Sequence, residues 1–159
     1  MQQKSIFDNG PAHAGSQRST VLEIYVDGAA RGNPGPSGIG ICIRRGTEWI
    51  AREGFYIGTA TNNQAEYKAL IVGVLLAKPL LKSRENLRLV SDSQLVVRQL
   101  LGMYRVKDPT LKILYERVCA LLDGLEFTVC HVPREQNKCA DACANKGIDE
   151  KRYLPAALT

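Results

Sequence analysis

The sequence lacks the features that mark membrane, secreted and disulfide-rich proteins. None of its apolar runs is long enough to cross a bilayer, and no basic segment followed by an apolar run opens the chain. The five cysteines are odd in number and form no CxxC pair, which argues against a disulfide framework. We therefore expect a cytoplasmic protein with reduced thiols and no membrane partner.

The cysteines have a simple expected role in the interior. Cys42 and Cys130 lie in predicted strands, and Cys139 and Cys143 lie in a predicted helix. At such positions cysteine usually acts as a small buried apolar residue. The i, i+4 spacing of Cys139 and Cys143 is compatible with a shared metal ion, but packing is the favoured interpretation.

Length and charge limit the organisation and the partners. A chain of 159 residues with 45% hydrophobic content suits one compact domain with a single core. We assign that domain to residues 21–150, with a polar, flexible extension at 1–20 and a short tail at 151–159. The formal net charge of +5 favours anionic partners, of which nucleic acid is the natural candidate. A soluble protein with a merely basic surface is the plain alternative.

An isolated acid ends the first apolar run. Residues 21–26 are mainly apolar, Asp27 follows, and a turn rich in Gly and Pro leads to the alternating run Ile39, Ile41, Ile43. A carboxylate is costly to bury, so Asp27 needs a partner, most simply a cation. An Asx-turn, in which Asp27 accepts from backbone N–H groups, is the alternative, and this stretch alone leaves both open.

Three further segments carry an acid at a comparable junction between predicted elements. They are 61–66 with Glu66, 90–94 with Asp92 and 131–141 with Asp141. With these motifs in this order, residues 21–149 closely resemble the type 1 ribonuclease H family, whose acidic quartet runs Asp, Glu, Asp, Asp. Taken singly, Glu66 and Asp141 are typical of ordinary helix-surface acids, whereas the joint pattern favours a shared site.

The residue pattern predicts an α/β fold of the ribonuclease H type. Its elements are strands at 21–26, 39–43, 49–57, 87–90 and 125–131, helices at 62–81, 93–101 and 108–122, and a final helix carrying Asp141. We expect a five-stranded mixed sheet, three antiparallel strands followed by two parallel ones, flanked by helices. Asp27 and Asp92 would then lie at the carboxyl ends of neighbouring parallel strands, where open α/β sheets place ligand sites.

The resemblance implies a metal-dependent endonuclease that cuts the RNA strand of RNA–DNA hybrids and leaves 5′-phosphate and 3′-hydroxyl ends. Four converging carboxylates repel one another, and hard oxygen ligands suit two Mg²⁺ ions, for which Mn²⁺ can substitute. Asp27 and Asp92 would be the central ligands, and Glu66 and Asp141 would complete the two metal sites.

The family also places a catalytic helper, either His or Arg, in the loop before the last acid. Here His131 and Arg134 both match, and we favour Arg134 while keeping His131 open. By resemblance, Gly28, Ala29 and Gln94 contact the RNA strand, and four polar residues contact the duplex backbones: Asn33, Thr61, Asn62 and Asn63. Ordinary turn and cap duty is the alternative role of each asparagine.

Two other functions compete with this interpretation. One is a catalytically weak or inactive nucleic-acid-binding module of the same fold, and the other is a different nuclease or strand-transfer enzyme. All four acids are present, which favours the hybrid nuclease. The expected partner is an RNA–DNA hybrid, with double-stranded RNA as a second candidate substrate, and the expected state is a monomer.

Overall fold

The computed structural model describes residues 20–159, which form a five-stranded mixed sheet with helices on both faces. The strands are β1 (Val21–Ala30), β2 (Gly35–Arg45), β3 (Glu48–Ala60), β4 (Asn86–Ser91) and β5 (Phe127–His131). Their order in the sheet is β3-β2-β1-β4-β5. Strands β1, β2 and β3 pair antiparallel, and β4 and β5 continue parallel to β1. The predicted fold class is confirmed, although the first three strands are longer than the sequence pattern indicates. The predicted extension at 1–20 lies, apart from Thr20, outside the described residues.

Four helices connect or follow these strands, and three of them begin at residues that cap well. They are α1 (Asn62–Ala77), α2 (Gln94–Leu100), α3 (Pro109–Leu122) and α4 (Lys138–Glu150). Thr61, Ser93 and Asp108 each accept a backbone N–H with the side chain, which satisfies a donor at the helix start. Helix α1 ends before the predicted limit of residue 81, because Pro79 cannot donate a helical hydrogen bond and a short 3₁₀ turn follows. Within residues 20–159, no helix has the length and apolar character needed to span a membrane.

The main core lies between the sheet and α1. Alternate residues of β1 and β2 point to this face and are fully buried: Leu22, Ile24, Val26, Ile39, Ile41 and Ile43. Gly73 lets α1 approach closely, since an added Cβ there would lie 3.0 Å from Val26 Cγ1. Helix α3 also packs on α1, which explains why buried apolar residues occupy most sides of α1.

Helix α4 packs on the opposite face of the sheet, against strand glycines. A Cβ at Gly40 would lie 1.8 Å from the carbonyl oxygen of Ala140, and one at Gly54 would lie 2.0 Å from that of Cys143. The helix backbone therefore rests directly on the backbones of β2 and β3. This close approach fixes the start of α4, with Asp141 in its first turn.

A disulfide between Cys42 in β2 and Cys139 in α4 corrects the expectation of reduced, purely packing cysteines. The two residues are 97 positions apart, and only the docking of α4 on β2 brings them together. The third sulfur, Cys143 Sγ, lies 3.8 Å from Cys42 Sγ. Cys119, Cys130 and Cys143 are free thiols and are partly buried.

Candidate active site

Three of the predicted acids meet at one end of the sheet. Asp27 lies near the carboxyl end of β1, Asp92 follows β4 directly, and Glu66 lies near the start of α1. One carboxylate oxygen from each lies within 4.8 Å of the others. Parallel pairing of β1 with β4 brings the two aspartates together, and the capped start of α1 adds the glutamate.

The fourth acid lies on the rim of the same cavity. Asp141 is half-buried in the first turn of α4. The cavity has a volume of about 420 Å³. Its lining comprises all four acids, three adjoining residues of β1 and four further polar side chains: Asp27, Glu66, Asp92, Asp141, Gly28, Ala29, Ala30, Arg31, Asn62, Arg134 and Asn145.

Burial and mutual repulsion favour the protonated forms of two of these acids. Asp27 is 6% exposed, and burial, followed by the charges of Asp92 and Asp141, raises its pKa to about 7. Burial, followed by the charges of Asp27 and Asp92, raises the pKa of Glu66 well above its ordinary value. A hydrogen bond from the backbone N–H of Gly28 to the Glu66 carboxylate offsets part of that rise.

The donor set fits a divalent cation. Glu66 Oε2 is buried and has no hydrogen-bond partner among residues 20–159, which is costly unless a proton or a cation satisfies it. Neighbouring carboxylate oxygens are hard donors of the kind that Mg²⁺ and Mn²⁺ prefer. A cation here would relieve both the repulsion and the unsatisfied oxygen.

Asn137 is a positioning residue to which the sequence reasoning gave no role. Its side chain is buried, and Nδ2 donates to the carbonyl oxygen of Val26 (2.9 Å) and to Asp92 Oδ1 (3.0 Å). Asn137 precedes α4 but makes no side-chain cap bond, so the usual interpretation of an Asn before a helix is wrong here. One amide thus joins β1, Asp92 and the start of α4. The signal available in the sequence was its place in the Pro-Arg-Glu-x-Asn loop.

Two asparagines predicted to touch the duplex also hold the cavity wall in place. Asn62 Oδ1 accepts from the backbone N–H of Ala30 (3.1 Å), and Asn33 Oδ1 accepts from the backbone N–H of Asn62 (3.1 Å). These bonds tie the β1–β2 turn to the start of α1. Both residues are exposed, so this turn and cap duty leaves them accessible from outside.

The remaining predicted contact residues lie at element ends around the cavity. Thr61 forms a capping box with Gln64, in which each side chain accepts a backbone N–H of the other. Asn63 is partly buried in the first turn of α1, and Gln94 is exposed at the start of α2. Ala29 lines the cavity itself.

The two candidate helpers lie in different places. Arg134 has a side chain that is 77% exposed, lines the cavity, and brings Nη2 to 3.4 Å from Asp141 Oδ1. His131 ends β5, and its Nε2 lies 3.2 Å from the backbone oxygen of Asp92. Arg134 therefore lines the acidic cavity, whereas His131 contacts the backbone oxygen of Asp92.

Arg31 and Asn145 also line the cavity, and the sequence reasoning missed both. Arg31 pairs with Asp149 (2.7 Å), and its Nη2 lies 3.4 Å from Asn145 Oδ1. Asn145 in turn donates to the backbone oxygen of Asp141 (3.0 Å). The turn after β1 is thereby linked to α4 across the mouth of the cavity.

Comparison with known proteins agrees with this geometry. The family described as "Reverse transcriptase-like" matches residues 25–147. Ribonuclease HI of Halobacterium salinarum is 44% identical over 131 residues, which cover 81% of this chain and 65% of that protein. The bifunctional protein Rv2228c of Mycobacterium tuberculosis is 38% identical, with 84% of this chain and 37% of that protein covered. The chain thus spans less than two thirds of the length of either relative.

A solved structure with the same fold carries a nucleic acid. The crystal structure of LC11-RNase H1 in complex with RNA/DNA hybrid matches with a TM-score of 0.75 and 38% identity, and covers 81% of this chain and 97% of that one. Fold, ordered acidic motifs and relatives agree, and the chain belongs to the type 1 ribonuclease H family.

Proposed function

We propose that this chain is an endonuclease that hydrolyses the RNA strand of RNA–DNA hybrids and leaves 5′-phosphate and 3′-hydroxyl ends. The observation that carries the proposal is the convergence of Asp27, Glu66 and Asp92 within 4.8 Å, in a cavity that Asp141 also lines. The hybrid bound to LC11-RNase H1 supports the substrate class.

The four acids would hold two divalent cations, Mg²⁺ by preference, with Mn²⁺ able to substitute. Asp27 and Asp92 are the central ligands of this proposal, and Glu66 and Asp141 complete the two sites. When bound, such ions help to activate an attacking water and stabilise the leaving 3′ oxygen of an in-line displacement. The raised pKa of Asp27 means that ligand binding and proton release are linked near neutral pH.

The protein's own contribution is to hold these oxygens in place. Asn137 orients the Asp92 carboxylate, and the Gly28 N–H does the same for Glu66. Correct placement of reacting groups is a large part of catalysis in phosphoryl transfer. Arg134, exposed on the cavity rim, is the proposed helper that contacts the substrate phosphate, and His131 is the alternative.

Substrate contacts surround the cavity. We assign Gly28, Ala29 and Gln94 to the RNA strand, whose 2′-OH groups distinguish it from DNA. The duplex-backbone contacts are assigned to Asn33, Thr61, Asn62 and Asn63. A second, basic cavity of about 600 Å³ lies between α2 and α3, lined in part by Arg105, Lys107 and Lys112, and offers further phosphate contacts.

A cleavage assay tests the proposal. Labelled RNA–DNA hybrid, double-stranded RNA and double-stranded DNA are each incubated with Mg²⁺ or Mn²⁺, using the wild-type chain and its Asp92→Asn variant. The expected result is metal-dependent cutting of the RNA strand of the hybrid by the wild type alone. Hybrid binding without any cleavage in either metal would identify an inactive binding module, and cutting of DNA would identify a different nuclease.

A further inference from the structure

Three cysteine sulfurs cluster beneath α4, outside the acidic cavity. Cys42 in β2 is fully buried, and Cys139 and Cys143 lie one turn apart on the facing side of α4, both partly exposed. The three Sγ atoms lie within 4.8 Å of one another. Cys42 and Cys139 form the disulfide, and Cys143 Sγ contacts Cys42 Sγ at 3.8 Å. The proposed nuclease function gives the third sulfur no role.

We propose that, once the disulfide is reduced, Cys42, Cys139 and Cys143 form a three-thiolate site for a thiophilic divalent cation of the zinc class. A dithiol reductant supplies two electrons and two protons to the Cys42–Cys139 bond and becomes a disulfide itself. The cation then forms three metal–sulfur bonds and displaces three thiol protons. A water molecule completes a four-coordinate site.

The spacing of the sulfurs suits such an ion. Zinc–sulfur bonds of about 2.3 Å at tetrahedral angles place neighbouring sulfurs about 3.8 Å apart. The Cys42 and Cys143 sulfurs are already 3.8 Å apart, and opening of the disulfide lets the Cys139 sulfur move away from Cys42 to a similar distance. The partial exposure of Cys139 and Cys143 gives the ion a route from solvent.

The chemistry of the donors separates this site from the acidic one. Thiolates select zinc-class ions, whereas carboxylates with water select Mg²⁺ and Mn²⁺. Burial raises the pKa of the Cys143 thiol and Glu53 adds to that rise, whereas Arg52 and Lys146 oppose it, so these two cations offset part of the cost of forming a three-thiolate complex. The two sites can therefore be filled independently.

The consequence is that β2 stays joined to α4 in either oxidation state. The disulfide makes the connection in the oxidised protein, and the metal makes it in the reduced protein. Asn137 and Asp141, at the start of α4, depend on that docking. The proposed site thus stabilises the helix that carries the last acid without contacting substrate.

Cd²⁺ titration of the reduced, desalted protein tests the site, with excess Mg²⁺ present to occupy the carboxylates. We expect a sulfur-to-cadmium charge-transfer absorbance that saturates at one equivalent, together with a higher unfolding temperature. The oxidised wild type should show no band. Cys143→Ser, which keeps the disulfide pair, should lose more than about 100-fold in Cd²⁺ affinity, since even changes outside the ligand shell cost 10–100-fold.

Cys119→Ser is the matched control, because Cys119 lies in α3 and outside the cluster, and it should bind like the wild type. If Cys143→Ser does not fold, as judged by its oxidised melting curve, Cys143→Ala replaces it. No charge-transfer band in the reduced wild type, or an unchanged band in the Cys143 variant, would overturn the proposal. Either result leaves hybrid cleavage untouched, so the two proposals fail separately.

Discussion

At the scale of single residues, Asp92 is the most direct test of the acidic site. Asp92→Asn removes one metal ligand but keeps the volume and an oxygen that can still accept from Asn137. Cleavage should be abolished, while hybrid binding and folding persist and thermal stability is unchanged or slightly higher, because one repelling charge has gone. Gel-based cleavage and melting curves measure these effects. Asp123→Asn, an exposed acid at the end of α3, should behave like the wild type. Normal turnover by Asp92→Asn at saturating Mg²⁺ would remove the two-metal assignment.

Asp27 makes the stability of the metal-free protein depend on pH. Its pKa is raised from 3.8 to about 7, so between these values the folded state holds a proton that the unfolded state has lost. Its contribution to the free energy of unfolding therefore falls as pH rises from about 4 to 7, by at most about 4 kcal/mol at about 1.36 kcal/mol per pKa unit.

Melting curves in EDTA for wild type and Asp27→Asn measure this effect. The unfolding temperature of Asp27→Asn should exceed that of the wild type by an amount that grows across that pH range and stays constant above pH 8. Mg²⁺ should restore the unfolding temperature of the wild type at pH 8. A difference between the two proteins that does not change with pH would show that Asp27 titrates normally.

Arg134 and His131 can be separated by single alanine substitutions. We expect Arg134→Ala to lower kcat by about 10²-fold or more, the usual cost of removing one donor that stabilises developing charge, and His131→Ala to have a small effect. If Arg134 is the helper, the pH profile of kcat should be the same in His131→Ala as in the wild type, because no histidine then takes part in the reaction. Steady-state kinetics across pH measures both. A severe loss in His131→Ala beside a nearly normal Arg134→Ala would reverse the assignment.

At the scale of elements, the contact between α4 and the strand glycines should control both stability and activity. Gly40→Ala places a methyl group against the carbonyl oxygen of Ala140, where rigid backbone cannot yield. We expect a loss of about 1–3 kcal/mol or more from overpacking, with lower activity because Asp141 shifts. Gly73→Ala is the control on the opposite face, where the atoms nearest an added Cβ belong to side chains, those of Val26 and Ile24 at 3.0 and 3.1 Å, and not to backbone.

Denaturant melts and cleavage rates of the two glycine variants give the comparison. Gly73→Ala should lower the free energy of unfolding less than Gly40→Ala does, and it should leave the cleavage rate per folded molecule unchanged. Equal losses of stability with no change in rate for Gly40→Ala would show that the glycine contacts do not position Asp141.

At the scale of the whole molecule, hybrid binding depends on scattered positive charge. The connection between α2 and α3 is short and carries Arg105 and Lys107 beside the basic cavity. Replacing both with alanine should weaken hybrid binding and reduce the log–log salt slope by about 0.9 for each phosphate that is no longer neutralised. Lys78→Ala with Lys82→Ala removes the same charge from the connection between α1 and β4 and should leave the slope unchanged. Binding titrations at several salt concentrations measure the slopes. Equal slopes in the two double variants would show that the basic cavity does not contact the duplex.

Much of this molecule could be predicted locally. Apolar runs, one of them alternating, predicted the strands. Thr61, Ser93 and Asp108 marked helix starts, and Asp27 near the end of β1 and Asp92 after β4 marked the site. Each of these signals depends on near neighbours in the chain or on the repeat of side chains along one element. The limits of α1 were less accurate, because Pro79 ended the helix within an apolar stretch that continues to residue 81.

The sequence by itself determined the order of elements, the acidic quartet and the basic character of the chain. Only the tertiary structure decided that Cys42 pairs with Cys139 and that Asn137 donates a hydrogen bond to Asp92 instead of capping α4. It also decided that the backbone of α4 packs against Gly40. The hydrogen bonds of Asn137 join residues that are 45 and 111 positions apart, and the environment of Gly40 depends on the path of the α4 backbone. No local sequence pattern predicts these contacts, because they form only when α4 docks on the sheet.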